Sequence, residues 1–201
     1  LDVKAGEFQI AAIDTIPTAA WRGERGNVAE SEPAFKAMWI RPKSLAFRFK
    51  VSRELLQDSP GLNRALEIAI SQAFAVELDR AGLRGSGAGA EPAGLLNRPG
   101  VQLINMALPD GAPLANYSKL INVARLIKEA NAPAPTAAIM SPREDEKIAL
   151  FADTTGQPLR RPDALSDWKF LTTSQIPTDL TVGASNDCSE LYTGDFSLFS
   201  Y

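Results

Sequence analysis

The chain has 201 residues, 45% hydrophobic and 22% charged, a composition typical of a globular protein with a sizeable core. Its net charge of -3 argues against a dedicated nucleic-acid binder, because such domains carry a basic excess. The sequence has no histidine and one cysteine, Cys188, which excludes an internal disulfide and removes the commonest general base and metal ligand. No apolar run reaches the ~20 residues of a membrane span, and no signal-peptide pattern is visible.

The first 33 residues predict little regular structure. Residues 1–18 are expected to form a short irregular or extended arm, with Ile10, Ala12 and Ile16 as apolar positions. Residues 21–33 are rich in Gly and Glu, which is typical of a loop.

Residues 35–51 predict a long strand. The second half alternates, with apolar side chains sharing one face at Leu45, Phe47, Phe49 and Val51. In the first half, Met38, Trp39 and Ile40 place apolar groups on both faces. Seventeen extended residues reach about 55 Å, whereas a globule of this size is about 43 Å across. We therefore expect residues 19–50 to form a two-stranded hairpin that projects from the body onto other subunits.

A long helix is predicted next, over residues 60–83. Asp58 or Ser59 can cap its start, and Pro60 suits the first turn. An apolar stripe runs along it at Leu62, Leu66, Ala69, Ala73 and Val76, and Ile70, Phe74 and Leu78 widen it.

The Gly-rich segment "GSGAGA" at residues 85–90 allows two interpretations. A dinucleotide-binding loop would need a strand before it and a helix after it. Here a helix precedes it and the glycine spacing fails, so the segment favours a helix stop followed by a flexible turn.

Two shorter helices are predicted at residues 117–130 and from residue 141 onward. The second begins with a capping box, with Ser141 as N-cap, Pro142 at the first position and Glu144 at the third. Its acidic first turn favours a solvated helix start over a metal cluster. From residue 155 the pattern predicts short strands and turns, with "TGDFSLFSY" as the last strand.

Between residues 35 and 53 the chain carries six basic side chains and no acidic one: Lys36, Arg41, Lys43, Arg48, Lys50 and Arg53. Interleaved aromatics would suit an RNA-binding sheet, but Phe47 and Phe49 lie on the apolar face and are interpreted as packing residues. The preceding acidic residues Glu24, Glu30 and Glu32 favour pairing between charges of neighbouring subunits.

In their order and spacing, these segments resemble the major capsid proteins of tailed bacteriophages, of the Hong Kong 97 type. The resemblance rests on "KVSRELLQDSP", the long helix, "LRGSGAGAEPAGLLN" and "TGDFS". The matching positions are Trp21, Glu30, Ser52, Glu54, Leu55, Leu56, Asp58, Ser59, Pro92, Gly94, Leu95 and Leu96.

The resemblance implies an α+β capsid fold with a defined domain order. Residues 1–18 would be an N-terminal arm and residues 19–51 the extended hairpin called the E-loop. Residues 52–115 would form the peripheral domain around the spine helix at 60–83, and residues 116–201 the axial domain. Family chains continue past this point and return to the peripheral domain, and this chain starts at Leu1 rather than Met, so a fragment or a shortened prophage relative is expected.

The resemblance also implies function. It predicts a structural protein, not an enzyme, that self-assembles as pentamers and hexamers into an icosahedral head enclosing DNA. Expected partners are further copies of the chain and scaffold, protease and portal proteins, with no cofactor, metal or membrane; assembly would occur in the bacterial host cytoplasm. The predicted interface residues are Trp21, Glu30, Glu32, Met38, Trp39, Ile40, Arg41 and Lys43. Two alternatives stay open: an encapsulin-type compartment shell, and a small enzyme or nucleotide-binding domain.

Overall fold

A computed structural model describes residues 8–15, 17, 19, 21, 24, 32–51, 61–106 and 109–197. The chain divides into two compact units, Leu1–Phe49 and Lys50–Tyr201. The first unit holds an antiparallel hairpin, and the second holds a long helix and a small α/β body.

The hairpin consists of β1 (Phe8–Thr15) and β2 (Ala34–Ile40). The two strands pair antiparallel with Ile10 opposite Met38, and the register shifts between Ile13 and Thr15. The first strand therefore lies in the segment that was expected to be a separate arm, outside the predicted boundaries of 19–50. The residues of β1 that pair with β2 include the apolar Ile10, Ala12 and Ile13. This pairing joins segments far apart in sequence, so the local residue pattern does not reveal it.

The prediction of one strand over residues 35–51 is wrong for its second half. Regular pairing ends at Ile40, which lies opposite Phe8 at the start of β1. Residues 41–50 follow without helix or strand, and Pro42 lacks the N–H that a ladder would need. The alternation of Leu45, Phe47 and Phe49 is therefore a property of an exposed segment.

The predicted long helix is confirmed as α1 (Leu62–Arg84), 23 residues without interruption. Its five alanines favour the helical state. Gly61 occupies the N-cap with φ 97°, whereas the capping role of Asp58 or Ser59 and the place of Pro60 lie outside the described residues. The expected buried stripe is absent along residues 62–80 of α1, because within this helix only Ala81 and Leu83, in its last turn, are buried.

The predicted helix stop at Gly85 is confirmed, and the turn after it is held by hydrogen bonds. The backbone N–H of Gly94 donates to Gly85 O at 2.8 Å, and Asn97 Nδ2 donates to the same oxygen at 2.7 Å. A Cβ at Gly94 would lie 2.4 Å from Gly85 N. Glycine is therefore required where the two backbone segments meet. A 3₁₀ turn at Leu95–Asn97 follows.

The α/β body is built around β3 (Ala137–Met140), which sequence analysis did not predict. It lies between the parallel strand β4 (Lys169–Thr172) and the antiparallel strand β7 (Leu191–Gly194). The helices α2 (Ser118–Glu129) and α3 (Pro142–Ala149) match the two predicted shorter helices. A βαβ unit therefore joins β3, α3 and β4.

The core lies where α2, β3, α3 and the chain after α3 meet. Tyr117 and Phe151 contact edge to face, with ring centroids 5.0 Å apart. The buried cluster comprises Tyr117, Leu120, Ala124, Ala138, Met140, Ile148, Phe151, Leu165 and Trp168. Leu165 belongs to a 3₁₀ turn at Asp163–Leu165.

Ser141 is the N-cap of α3 and Pro142 its first residue, as predicted, but the capping box does not form. The Ser141 side chain is buried and accepts a hydrogen bond from Ser189 Oγ at 3.3 Å. Glu144 accepts from Arg143 Nε and Lys147 Nζ, both at 3.1 Å. Charged donors close to Glu144 therefore replace the expected bond to the backbone.

A second hairpin joins β5 (Leu180–Val182) to β6 (Ser185–Cys188). Its turn is fixed by Asp110, whose Oδ1 accepts from the Ala184 N–H at 2.5 Å. Arg143 ties the hairpin to α3 by donating to Thr178 O at 2.9 Å and to Asp187 O at 2.7 Å. The last described strand, β7, ends at Gly194, so the prediction of a strand over 193–201 is wrong for residues 195–197, and residues 198–201 lie outside the described part.

Candidate subunit interface

The β1–β2 hairpin carries apolar side chains on both of its faces. Residues directly opposite each other in an antiparallel pair share a face. Ile10 and Met38 form one pair, and Ile13 and Phe35 form another pair on the opposite face, with Trp39. These side chains are 40–69% exposed. Since an isolated two-stranded hairpin is only marginally stable in water, this ribbon has the composition of an element that is completed by other surfaces.

The segment after the hairpin is also apolar and exposed. Leu45, Phe47 and Phe49 are 43–49% exposed, and the two phenyl rings stack with centroids 5.8 Å apart. They are therefore not core residues of this chain, contrary to the sequence interpretation. Exposed Arg48 and Lys50 alternate with them, so an apolar row and positive charge lie on one segment.

The long helix α1 exposes further apolar side chains: Ile68, Val76 and Leu78 are 40–53% exposed. A single exposed hydrophobic residue is ordinary, whereas several along one element are typical of a contact surface. Of the apolar stripe that predicted this helix, Val76 and Leu78 are exposed, whereas Leu62, Leu66, Ile70 and Phe74 are half-buried.

The last turn of α1 is fixed to the α/β body by two side-chain contacts. Arg84 Nη1 donates to Glu190 Oε2 at 2.6 Å, and Tyr192 Oη donates to the same oxygen at 2.6 Å. Burial, and then the hydrogen bond to Glu190, raise the pKa of Tyr192. Thr173 Oγ1 donates to Asp79 Oδ2 at 3.2 Å. These contacts and the burial of Leu83 set the direction in which the helix leaves the body.

The loop after α1 is organised by the carboxylate of Glu91. Its Oε2 accepts from Ser86 Oγ at 2.5 Å and from the Ser86 backbone N–H at 3.0 Å, while Oε1 accepts from Arg80 Nη2 at 2.6 Å. These bonds, those of Ser86 first, lower the pKa of Glu91 to about 2. Arg80 also bonds Glu77 and lowers the pKa of that carboxyl. The Gly-rich loop is thus held by protein groups in the manner of a structural turn.

The predicted interface residues all belong to the unit that holds the hairpin. Met38 and Trp39 are strongly exposed, Ile40 is half-buried, and Trp21, Glu32, Arg41 and Lys43 are exposed. Glu30 lies outside the described residues. The register brings Met38 beside Ile10 and Trp39 beside Gln9.

Sequence reasoning missed Ile10, Ile13 and Phe35 as members of this surface. A signal was available, because Ile10 and Ala12 alternate in the manner of a strand face. Because residues 1–18 were assigned to a separate arm, the pairing of this segment with β2 was not predicted. The cross-strand pairs of the hairpin became visible only with the register.

The described residues offer no arrangement suited to metal chemistry: none of them form a group of three or more Cys, Asp or Glu side chains that could hold a metal ion. Within the same described ranges, every helix is too short or too polar to span a bilayer. The described elements are an α/β body with a long helix and, in the other unit, a hairpin with exposed apolar side chains on both faces, a feature typical of proteins that associate through their surfaces.

Comparison with known proteins agrees with this class. Residues 2–201 match the phage capsid family, and the chain belongs to that family. The chain is a structural capsid protein with an α+β fold of the Hong Kong 97 type, and the encapsulin and nucleotide-binding alternatives are not favoured. Comparison with curated proteins gives no match.

Solved capsid structures share the fold. The capsid of an empty GTA particle, computed with C5 symmetry, is 21% identical with a TM-score of 0.70, covering 98% of this chain and 70% of that one. The native GTA particle capsid is 22% identical with a TM-score of 0.67, covering 96% and 70%. A Mycobacterium phage Bobi structure is 16% identical with a TM-score of 0.65, covering 93% and 75%.

Proposed function

We propose that this chain is the repeating subunit of an icosahedral phage or prophage head and that it assembles through the β1–β2 hairpin. The observation that supports this most directly is the hairpin itself, whose large apolar side chains are 40–69% exposed in the single chain. Burying them against other subunits removes apolar surface from water at about 25 cal/mol per Å². The C5 symmetry of the GTA capsids supports rings of subunits.

In this proposal each element has a place in the shell. The hairpin with residues 41–51 is the E-loop, so its first strand is β1 rather than a segment after residue 19. The helix α1 is the spine of a peripheral domain at 52–115, and residues 116–201 form the axial domain around the symmetry axes. Trp21, Glu30, Glu32, Met38, Trp39, Ile40, Arg41 and Lys43 contact neighbouring subunits.

The partners follow from the same proposal. Copies of the chain surround DNA without sequence-specific contacts, consistent with the net charge of -3. Scaffold, protease and portal proteins act during assembly in the host cytoplasm. The chain itself contributes no enzymatic step.

The test is assembly of the purified chain. Sedimentation velocity over a concentration series, with negative-stain electron microscopy of the fastest species, should show rings or shells. The matched variants are Trp39→Asp on the hairpin and Leu150→Asp, which changes another strongly exposed apolar residue at the end of α3. We expect Trp39→Asp to suppress assembly more strongly. A chain that stays monomeric at all concentrations would overturn the proposal.

Amide hydrogen exchange tests the role of the hairpin separately. Residues 34–40 should exchange fast in dilute subunits and slowly in assembled particles, because assembly covers the ribbon. The last turn of α1 should be protected in both, because Ala81 and Leu83 are buried within the chain. Strong protection of residues 34–40 in a verified monomer would show that the hairpin packs on its own chain.

A further inference from the structure

Asp110 and Gly111 form the only Asp–Gly pair in the sequence, and both residues pack against the β5–β6 hairpin. Asp110 Oδ1 accepts from the Ala184 N–H at 2.5 Å. A Cβ on Gly111 would lie 2.6 Å from Cys188 Sγ, so a larger residue there would displace the thiol. A Cβ on Gly183 would lie 2.2 Å from Asp110 Oδ1, so the turn fits closely around the carboxylate. Packing therefore favours an acceptor at the first position of the pair and glycine at the second.

An Asp–Gly pair can cyclise with no reagent other than water. The Gly111 nitrogen attacks the side-chain carboxyl carbon of Asp110 and forms a new C–N bond. One carboxylate oxygen leaves as water with the amide proton and one proton from solvent, and a succinimide ring remains. Water then opens the ring at either carbonyl to give aspartate or isoaspartate, and the new acid returns a proton to solvent. Glycine favours ring closure because it carries no Cβ beside the attacking nitrogen.

The fold opposes ring closure while the hairpin is in place. The two reacting atoms have to come within about 3–3.5 Å of each other in the correct orientation. The Asp110 carboxylate is held on Ala184, and rotation of the backbone toward the ring would move Gly111 against the Cys188 thiol. The pair therefore reacts when the hairpin turn lifts away from it.

The β5–β6 hairpin is an element that can open locally. Its strands have three and four residues and, among the described strands, pair only with each other. Arg143 of α3 holds the other end of the hairpin by donating to Thr178 O at 2.9 Å and to Asp187 O at 2.7 Å. Because a short two-stranded hairpin is only marginally stable by itself, these few contacts set how often it opens.

We propose that Asp110–Gly111 is a spontaneous modification site, which converts to isoaspartate when the β5–β6 hairpin opens and then keeps the turn from closing. Isoaspartate carries the main chain through its Cβ, so the backbone is one atom longer and the free carboxylate is the former main-chain carbonyl carbon. Neither change preserves the acceptor that Ala184 N–H binds in the unmodified chain. This chemistry takes place within one chain and does not depend on assembly.

Oxygen exchange tests the reaction. The folded chain is aged in heavy-oxygen water at neutral pH, digested in ordinary water and analysed by peptide mass spectrometry, and an isoaspartyl methyltransferase assay counts isoaspartate. Solvent oxygen should enter at Asp110 and not at exposed Asp179, which precedes the bulky Leu180. No label at Asp110 over a period that fully labels the free peptide of residues 106–114 would overturn the proposal, and so would equal labelling at Asp179.

Arg143→Ala tests whether the hairpin controls the reaction. Loss of the contacts to Thr178 O and Asp187 O should raise the labelling rate at Asp110 about fivefold. Arg125→Ala, which changes an exposed arginine of α2, is the control and should leave the rate unchanged. An unchanged rate in folded Arg143→Ala would overturn the proposed control by the hairpin. If that variant does not fold, urea below the unfolding transition opens the hairpin of the unchanged chain, and a labelling rate that does not rise there has the same meaning.

Alkylation of Cys188 tests whether the product keeps the turn open. The thiol is half-buried and lies against Gly111, so iodoacetamide should modify it faster in chains that carry isoaspartate than in unmodified chains of the same sample. Complete alkylation of both fractions in denaturant is the control. Equal rates in the two folded fractions would show that the turn closes again over isoaspartate, which would overturn the proposal.

Discussion

At the scale of single residues, the carboxylate of Glu91 holds the conformation of the Gly-rich loop after α1 through its hydrogen bonds. The segment after α1 contains three glycines in six residues, yet one side chain accepts hydrogen bonds from both the backbone and the hydroxyl of Ser86 and from Arg80. The end of the helix was predictable from the glycines. The hydrogen bonds of Glu91 were not, because they form only when the chain folds back and brings Glu91 close to Ser86 and Arg80.

The pH dependence of stability should report on Glu91. Its pKa is lowered from 4.5 to about 2 in the folded chain, so its stabilising contribution is fully present above pH 4.5 and is lost as the pH falls through about 2. Glu91→Gln should lower Tm at neutral pH and flatten the fall of Tm over that acidic window. Exposed Glu67, changed to Gln, is the matched control; equal acid profiles for both variants would contradict the prediction.

A second prediction at the residue scale follows from the close backbone contact between Gly94 and Gly85. A Cβ on Gly94 would lie 2.4 Å from Gly85 N, whereas a Cβ on Gly194 would meet nothing within 4 Å. Gly94→Ala should therefore destabilise by about 1–3 kcal/mol, the usual cost of forcing backbone apart, and Gly194→Ala by much less. Urea unfolding of the two variants measures the difference, and a cost that is the same for both would count against the close contact.

At the scale of elements, sequence periodicity located the helices well and the strands poorly. The period of α1 was visible over 23 residues, while β3 is four residues long, "AAIM", and buried without alternation. A short central strand gives no period-2 signal because both of its faces are covered. For α1 the periodicity predicted the helix but not what its apolar stripe contacts. An apolar stripe has the same pattern whether it packs within the chain or against another subunit.

Burial separates two leucines that the sequence treats alike. Leu120 in α2 is fully buried in the core, whereas Leu66 in α1 is only half-buried. In dispersed subunits Leu120→Ala should cost about 2–5 kcal/mol, and Leu66→Ala less than about 2 kcal/mol because less apolar surface is lost. Chemical denaturation of both variants gives the comparison. Equal costs in a verified monomer would mean that the α1 stripe is packed within the chain.

At the scale of the whole molecule, family and fold followed from the order of segments, while the exposed apolar surface of the hairpin followed only in part. Met38 and Trp39 were predicted because they place apolar groups on both faces of a strand, and both are exposed. Ile10, Ile13 and Phe35 required the cross-strand register. The distribution of charge, by contrast, is readable directly from the sequence.

Assembly should weaken with salt through the basic residues after the hairpin. Exposed Arg48 and Lys50 alternate with the apolar row, and attraction between exposed charges is screened over about 10 Å at 0.1 M salt and about 3 Å at 1 M. The assembled fraction, measured by light scattering, should fall as salt rises. The double variant Arg48→Gln, Lys50→Gln should assemble less at low salt and respond less to added salt; an unchanged salt response would refute this role.

The attachment of α1 by its last turn has a mechanical consequence. About 30 Å of helix extends from the anchor at Ala81, Leu83 and Arg84 to its first residue, so the helix acts as a lever arm. A rotation of about 10° at the anchor displaces the far end by about 5 Å over this length. The Arg84–Glu190 contact lies at this anchor, so a small rotation there would become a displacement of several ångström at the far end of α1.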